Sequence, residues 1–402
     1  MTLGLAMFLR GKKYLNGHAE PPAPQRLRER VAGLPRETLI YLAALLGVLP
    51  LAALMWAAAN GAFALGGEIS LALLLMLAVL AAVAVWLVRF LAIECTPVQR
   101  QQMLALIAMI FMCLVFFTLY EQTYGSWVTF TDRLLTKDLF PAFVQASAPV
   151  VWRGDAIGDA LLFLSQAPWS MYSLLLAPVG FIVAARMSDR NAGSAAPRVA
   201  FIGVVALMLL LLLRDLLVLP QTAGSLTFLG PLFIVLLAPA FAWLWARLGC
   251  DGHDPSKPFK SALGLLFGAL AFIPLALAAQ QAGETGQLAS VWWLVLAYLI
   301  LEIGEMCLSP VSLSAVTQLS VPHVTGLMMG TWFLATAFSE ALAALFGKLA
   351  AVDIDEAATI SMAEAAGRYA DLFWLLMWIG LGCALLAFLA VPLLRRMMHG
   401  VR

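Results

Sequence analysis

The 402-residue chain consists largely of apolar runs, each about as long as a membrane-spanning helix. Hydrophobic residues make up 63% of the chain and charged residues only 12%, against about 25% charged residues in an average soluble domain. So much apolar sequence cannot be hidden in one soluble core, whereas about 20 apolar residues suffice for a helix to cross the hydrocarbon layer. The sequence therefore predicts an all-α polytopic membrane protein.

Hydropathy and charge together predict the orientation of the chain. A Pro- and Arg-rich linker ends at residue 36, and 18 of the 24 Lys and Arg residues fall on the inner side when this linker is cytoplasmic. Such a bias is typical of inner-membrane proteins, so we expect both ends to be cytoplasmic. The predicted spans are approximately residues 37–60, 69–92, 101–122, 156–185, 198–219, 226–247, 260–281, 289–309, 324–351 and 368–395.

Several functional classes find no support in the sequence. Five scattered cysteines and four histidines without ligand spacing favour neither a disulfide framework nor a zinc site. The chain lacks a Gly-rich phosphate loop, an HExxH motif and a nucleophile elbow, and its net charge of +1 comes with no basic stripe. We therefore expect no enzyme, no metal, no cofactor other than a coupling proton, and no nucleic-acid partner.

The stretch LEIGEMCLSPVSLS, residues 301–314, places two carboxylates at the end of a long apolar run. Glu302 and Glu305 are three residues apart and share one helical face. A charge at bilayer depth costs at least about 2.5–3.5 kcal/mol, so it normally faces a cavity or a partner. Either the pair is hydrated near the membrane surface, or Glu305 binds a cation or carries a proton, with Glu302 as a secondary candidate.

A second group of polar residues follows the third span, in FFTLYEQTYGSW. Glu121 is a candidate proton carrier, and Tyr120 beside it is a candidate substrate contact. The alternative is an interfacial helix end stabilised by Trp127. The next loop, about 123–155, is amphipathic and is predicted to lie along the membrane interface. Its apolar residues are Trp127, Phe130, Leu134, Leu135 and Phe140.

The ninth predicted span carries the remaining candidates. Glu340 and Lys348 are two turns apart and could form an ion pair, with Lys348 reaching outward. Trp332 and Thr336 are one turn apart on a single face. An aromatic ring and a hydroxyl suit a binding cavity, although ordinary helix packing explains them as well.

Four stretches together carry a family resemblance. They are FFTLYEQ at 116–122, GPLFIVLLAPAFAWLW at 230–245, GEMCLSPVSLSAVTQLSVP at 304–322 and GLMMGTWFLATA at 326–337. With these motifs the chain resembles the proton-dependent oligopeptide transporter family of the major facilitator superfamily. The resemblance implies that Glu305 holds the amino terminus of a peptide and that Glu121 couples transport to protons. It also makes Trp332 and Thr336 pocket residues.

The chain departs from the family pattern at three positions and at its beginning. Gly230 stands where the family usually has Asn, Ser312 replaces the Gly of SPVGLS, and Gln318 replaces a frequent Lys. FLRGKKYL and the Pro-rich linker resemble the segment after the sixth helix of the family, so the first five helices, with their ExxER motif, are expected to be missing.

The resemblance also predicts the domain organisation. Residues 1–36 would be the end of a truncated helix and a cytoplasmic linker, and 37–92 an accessory transmembrane hairpin. Residues 101–402 would form the major-facilitator-type carboxy-terminal six-helix bundle, with two inserted helices at about 156–219. The substrate of this architecture lies between two bundles, so a missing amino-terminal bundle, supplied by another chain if at all, would be a partner beside small peptides and the lipid bilayer.

These inferences lead to one functional hypothesis and two alternatives. The first is proton-coupled symport of di- and tripeptides, by a truncated portion that does not transport alone. The second is a non-transporting relic or helper membrane protein. The third is a symporter of another small solute, such as a muropeptide or an amino acid, which Gly230 favours because it lacks a side-chain amide.

Overall fold

A computed structural model gives the fold of the chain. It describes residues 24–31, 33–59, 71–145, 158, 165, 172, 196–252, 254–347 and 361–401. Its α-helices are α1 (Pro24–Arg28), α2 (Arg36–Ala59), α3 (Leu71–Ile93), α4 (Pro97–Tyr120), α5 (Ser126–Leu134), α6 (Ala196–Val218), α7 (Leu229–Cys250), α8 (Lys257–Leu270), α9 (Phe272–Thr285), α10 (Trp292–Leu319), α11 (Thr325–Gly347) and α12 (Met362–Met397).

Six helical segments of the described residues are long and apolar enough to cross a membrane. They are Pro97–Leu134, Ser225–Cys250, Lys257–Thr285, Trp292–Leu319, Pro322–Gly347 and Met362–Met397. The all-α polytopic architecture is thus confirmed. Helices α2, α3 and α6 coincide with three further predicted spans, whereas the first inserted span, 156–185, lies almost wholly outside the described residues.

Two predicted spans differ from the observed helices. The span predicted at 260–281 consists of α8 and α9, which meet at Ala271. The span predicted to end at residue 309 continues through Pro310 to Leu319. Hydropathy falls at the Ser and Thr residues that follow residue 308, which is why the predicted span ends there. Neighbouring groups can satisfy the backbone carbonyl that Pro310 leaves without a hydrogen bond, so the helix continues.

The linker before the first long helix contains short regular structure. Strands β1 (Arg30–Val31) and β2 (Leu34–Pro35) form a small antiparallel pair. Gly33 adopts φ = 84° in the turn between them, a left-handed conformation that glycine adopts without steric cost.

The chain divides into two compact units. Unit 1 comprises residues 1–106 and 316–334, and unit 2 comprises 107–315 and 335–402. Within unit 1, Phe90 is buried; it stacks on Trp86 at 5.1 Å and meets His323 edge-on at 5.8 Å. The Arg100 guanidinium donates hydrogen bonds to the carbonyls of Leu91 and Ala92. It thereby satisfies acceptors that the end of α3 would leave unpaired.

Close helix approaches at glycines hold unit 2 together. A β-carbon at Gly264 of α8 would lie 2.7 Å from Leu308 Cβ and 2.8 Å from the carbonyl oxygen of Gly304 on α10. A β-carbon at Gly380 of α12 would lie 2.8 Å from Ala269 Cβ. Small residues at such crossings let membrane helices pack backbone to backbone.

Helix α5 is part of the aromatic core of unit 2. Trp127 meets the rings of Phe272 and Tyr298 at 5.6 Å and 5.1 Å, and Phe130 meets Phe373 at 5.1 Å. The prediction that this amphipathic stretch lies along the membrane interface is therefore wrong for Trp127, Phe130, Leu134 and Leu135, which are all buried, while Phe140 is exposed. The apolar face of α5 is covered by protein rather than by lipid.

Candidate functional site

Helix α10 carries Glu302 and Glu305 deep in its span. Glu302 lies ten residues after Trp292, and Glu305 lies fourteen residues before Leu319. At 1.5 Å per residue, these positions are about 15 Å and about 21 Å from the two helix ends. Both carboxylates therefore lie near the middle of α10, far from either helix end.

The two carboxylates have different surroundings. Glu302 has no exposed surface, and neither of its carboxylate oxygens has a hydrogen-bond partner among the described residues. Glu305 is half-buried; its Oε1 accepts a long hydrogen bond of 3.4 Å from Ser309 Oγ, and its Oε2 is buried without a partner in the described part of the chain. Buried polar atoms are normally paired, so these three oxygens are exceptions in the described part of the chain.

Gly230 of α7 provides the space that Glu302 occupies. A β-carbon at Gly230 would lie 2.9 Å from Glu302 Oε1, 3.6 Å from the Tyr120 hydroxyl oxygen and 3.7 Å from a ring carbon of Tyr298. Tyr120 and Glu305 lie close enough to Glu302 to interact with it, although no group among the described residues meets the distance and angle limits of a hydrogen bond to its carboxylate. The side chains of Tyr120, Tyr298 and Glu302 therefore meet beside one glycine.

Glu121 lines a separate cavity within unit 2. The cavity has a volume of about 580 Å³, and Glu340, Arg133 and Tyr369 also line it. Glu121 and Glu340 interact electrostatically, so two carboxylates and one guanidinium share this space. Lys348, which the sequence predicts as a partner of Glu340, lies outside the described residues.

Gln122 fixes the short 3₁₀ turn on which Glu121 lies. The Gln122 side-chain amide donates to the Ala343 carbonyl at 2.9 Å, and Ser126 Oγ donates to Gln122 Oε1 at 2.6 Å. Gln122 and Ser126 are both buried. This hydrogen-bonded link between the turn and α11 holds the Glu121 backbone at the cavity wall.

Trp332 and Thr336 are found on α11 as predicted, but in different units. Trp332 is buried, with its ring edge-on to that of the adjacent Phe333 at 5.1 Å. Thr336 is half-buried, and its carbonyl accepts a hydrogen bond from Ser339 Oγ. Neither residue lines the cavity that contains Glu121.

Sequence reasoning missed three residues of these sites. Gly230 was noted only for the amide it lacks, whereas its structural role is to make room for Glu302. Tyr298 lies one turn before Glu302 on α10, a spacing that could have indicated a shared face. Arg133 is one of the few basic residues predicted on the outer side of the membrane, and this position could have indicated a functional role.

The sequence match of residues 219–362 is to the model of the POT family. The matched range contains Gly230, Glu302 and Glu305. Tyr120 and Glu121 precede the matched range.

Curated relatives support the same relationship over part of their length. An uncharacterized transporter, YclF, of Bacillus subtilis is 42% identical over 125 residues, which are 30% of this chain and 25% of the relative. The dipeptide and tripeptide permease B of Aeromonas hydrophila is 32% identical over 173 residues, which are 42% of this chain and 34% of the permease. The chain thus matches a quarter to a third of the length of these two relatives.

Solved POT structures have the same fold. A crystal structure of a peptide transporter POT in complex with sulfate superposes with a TM-score of 0.56 at 22% identity, over 99% of this chain and 61% of that one. A POT family transporter in complex with 5-aminolevulinic acid gives a TM-score of 0.56 at 16% identity, over 98% of this chain and 61% of that one. The fold class, a major-facilitator-type helical architecture, is therefore confirmed.

Proposed function

We propose that this chain contributes a substrate-binding and proton-coupling part to a symporter of di- and tripeptides, and that Glu305 binds the amino terminus of the substrate. The observation that carries the proposal is the position of Glu305. It lies about 20 Å from either helix end, is half-buried, and presents a buried Oε2 without a partner among the described residues.

The chemistry of a peptide amino terminus matches this position. An ammonium group is a cation with three N–H donors, and charge-assisted hydrogen bonds to a carboxylate are about twice as strong as neutral ones. A carboxylate away from bulk water gains most from such a partner, because an isolated buried charge is costly. The names of the permeases that the chain resembles support peptides as the substrate class.

Glu121 is the proposed proton-coupling group. It shares its cavity with Glu340 and Arg133, so a change in protonation there would alter the balance of one positive and two negative side chains. A proton that neutralises one carboxylate would leave a balanced pair with the guanidinium. The coupling ion is then the proton, and no other cofactor is required.

The surrounding architecture is also a proposal. In transporters of this kind the substrate lies between two helical bundles, and this chain covers about 60% of the solved POT structures. We propose that an amino-terminal helical bundle, in the same polypeptide or in a separate one, completes the substrate cavity. The charge distribution supports an inner-membrane location with both ends cytoplasmic.

A binding measurement tests the role of Glu305. The purified chain in lipid nanodiscs is titrated with dialanine, and Glu305→Gln is compared with the wild type. Loss of a buried charge partner costs about 2 kcal/mol or more, so affinity should fall by roughly thirtyfold. The exposed Glu284 on α9 provides the control Glu284→Gln, which should bind normally. Equal dialanine affinity of Glu305→Gln and the wild type would refute the assignment.

One observation favours a symporter of another small solute. Gly230 offers no side-chain amide to a peptide backbone, and the space beside it is occupied by Glu302. A substrate that needs only a carboxylate for its amine, such as an amino acid, would tolerate this loss. Competition of dialanine binding by free alanine decides between the two, because a peptide site discriminates strongly against alanine and an amino-acid site does not.

A further inference from the structure

Glu302 is the most deeply enclosed acidic side chain of this region, and the proposed function does not use it. Its exposed fraction is 0%, so a substrate cannot reach it in this conformation. Both carboxylate oxygens are buried without a hydrogen-bond partner among the described residues. An anion in such a place would cost several kcal/mol, and the surroundings must offset that cost or the charge must be removed.

Among the described residues, none of the groups that interact with Glu302 carries a positive charge. On its own helix they are Glu305 and Tyr298, and from α4 and the turn after it they are Tyr120 and Tyr124. Another carboxylate and three phenols face it, and none of these groups in the described part of the chain is a lysine, an arginine or a histidine. A like charge three residues away increases the cost of ionising Glu302.

The fold nevertheless keeps a place for this carboxyl group. A β-carbon at Gly230 would come within 2.9 Å of Glu302 Oε1, so any larger residue there would force the side chain to move. Gly230 is the second residue of α7 and is itself buried. The space that the Glu302 carboxyl group occupies therefore depends on the absence of a side chain at Gly230.

We propose that Glu302 is a proton-binding site of this chain, enclosed by Tyr120 and Tyr298 in the space beside Gly230. The group that occupies the two unpaired oxygens is a proton, which converts the carboxylate to a neutral carboxylic acid. Only a proton satisfies a side chain with no exposed surface without requiring room for a ligand.

This site deepens the proposed function and rests on it in one respect. With Glu302 neutral, the pair Glu302–Glu305 carries a single negative charge, which one substrate ammonium at Glu305 neutralises. Proton occupancy of Glu302 and substrate occupancy of Glu305 are thus compatible, as symport requires. Loss of the proton from Glu302 would place two negative charges next to each other. The free energy of the site without bound substrate would then rise.

Infrared spectroscopy tests the proton without using a substrate. The purified chain in nanodiscs is measured at neutral pH in H₂O and in D₂O, and the carbonyl stretch of protonated carboxyl groups is identified by its shift on deuteration. We expect a band in the wild type that is lost in Glu302→Gln and retained in the exposed control Glu284→Gln. A wild-type spectrum with no band that Glu302→Gln removes overturns the proposal.

Gly230→Ala provides an independent arm that does not remove the carboxyl group. The added β-carbon would crowd the end of a flexible side chain rather than a backbone, so this variant should fold. We expect the frequency of the Glu302 band to shift in Gly230→Ala and to stay unchanged in Gly382→Ala, whose glycine has open space around it. An unchanged band in Gly230→Ala contradicts the placement of the proton.

The two proposals can fail separately. The infrared band is recorded without peptide and reports on Glu302, whereas dialanine titration of Glu305→Gln reports on substrate binding. A band that depends on Glu302, together with equal dialanine affinity of Glu305→Gln and the wild type, supports the proton site and refutes the peptide site. Normal dialanine binding with no such band refutes the proton site alone.

Discussion

Glu302 and Glu305 lie on one helix, yet packing gives them different chemistry. Glu302 is fully buried beside Gly230, whereas Glu305 is half-buried and accepts a hydrogen bond from Ser309 Oγ. The difference comes from the neighbouring helices, because α7 provides a glycine next to one carboxylate only. A fully enclosed group suits a proton, and a partly open one suits a ligand.

Coupling between Gly230 and Glu302 is testable by stability. Gly230→Ala should lower the stability of the wild type by about 1 kcal/mol, a typical cost of overpacking, because its β-carbon would lie 2.9 Å from Glu302 Oε1. In a Glu302→Ala background the same change should be close to neutral, since the carboxyl group that its β-carbon would crowd is absent. Thermal unfolding of the four proteins measures the coupling. Equal effects of Gly230→Ala in both backgrounds would show that the two residues do not interact.

The acidic candidates could be found from the sequence, but their partners could not. Glu302, Glu305 and Glu121 stand out because carboxylates are costly within apolar runs. The role of Gly230 depends on how α7 packs against α10, some seventy residues away along the chain. No local pattern reports such a contact, and only the fold reveals it.

At the scale of helices, unit 2 depends on small residues and on one buried aromatic helix. Gly264 and Gly304 let α8 and α10 touch, and α5 places Trp127 against Phe272 and Tyr298. Apolar runs predicted most of the long helices. The sequence did not show which amphipathic segment packs inside, because an apolar face covered by protein reads the same as one covered by lipid.

Gly264→Ala should destabilise the α8–α10 contact. Its β-carbon would lie 2.7 Å from Leu308 Cβ and 2.8 Å from a backbone oxygen, neither of which can move without shifting a helix. We expect a loss of about 1–3 kcal/mol. Gly382→Ala on α12 is the matched control, because nothing lies within 4 Å of its β-carbon. Thermal unfolding in detergent distinguishes the two, and similar stability of both variants would contradict this packing.

Truncating Trp127 tests whether α5 belongs to the core. Trp127→Ala removes a buried ring, and we expect a loss of about 3–5 kcal/mol. Trp378→Ala on α12 is the control, since that ring is 63% exposed and should contribute much less to stability. Unfolding temperatures measure both. A small effect of Trp127→Ala would instead support the interfacial position first expected from the sequence.

Across the whole molecule, membrane orientation and the coupling of two ligands depend on where charges lie. Orientation is predicted by the distribution of basic residues, and hydropathy alone predicted the class of protein. What the sequence could not supply is how protons and substrate divide between neighbouring carboxylates, because that depends on burial of each group in the assembled unit.

The native cysteines report the orientation. Cys250, at the end of α7, is exposed, whereas Cys95, Cys113 and Cys307 are buried. A membrane-impermeant maleimide should therefore label Cys250 in inside-out vesicles and leave it unlabelled in right-side-out vesicles. Cys250→Ser is the control that identifies the labelled site. Labelling of Cys250 in right-side-out vesicles would reverse the predicted topology.

Recognition of the substrate ammonium by Glu305 is the basis of the proposed function, and a binding cycle isolates it. Dialanine and N-acetyl-dialanine, which lacks the charge, are titrated into the wild type and Glu305→Gln in nanodiscs. We expect the wild type to prefer dialanine by at least about tenfold, the equivalent of a charge-assisted bond of about 1.4 kcal/mol, and Glu305→Gln to bind both peptides equally. A preference for dialanine that persists in Glu305→Gln would show that the ammonium is bound elsewhere.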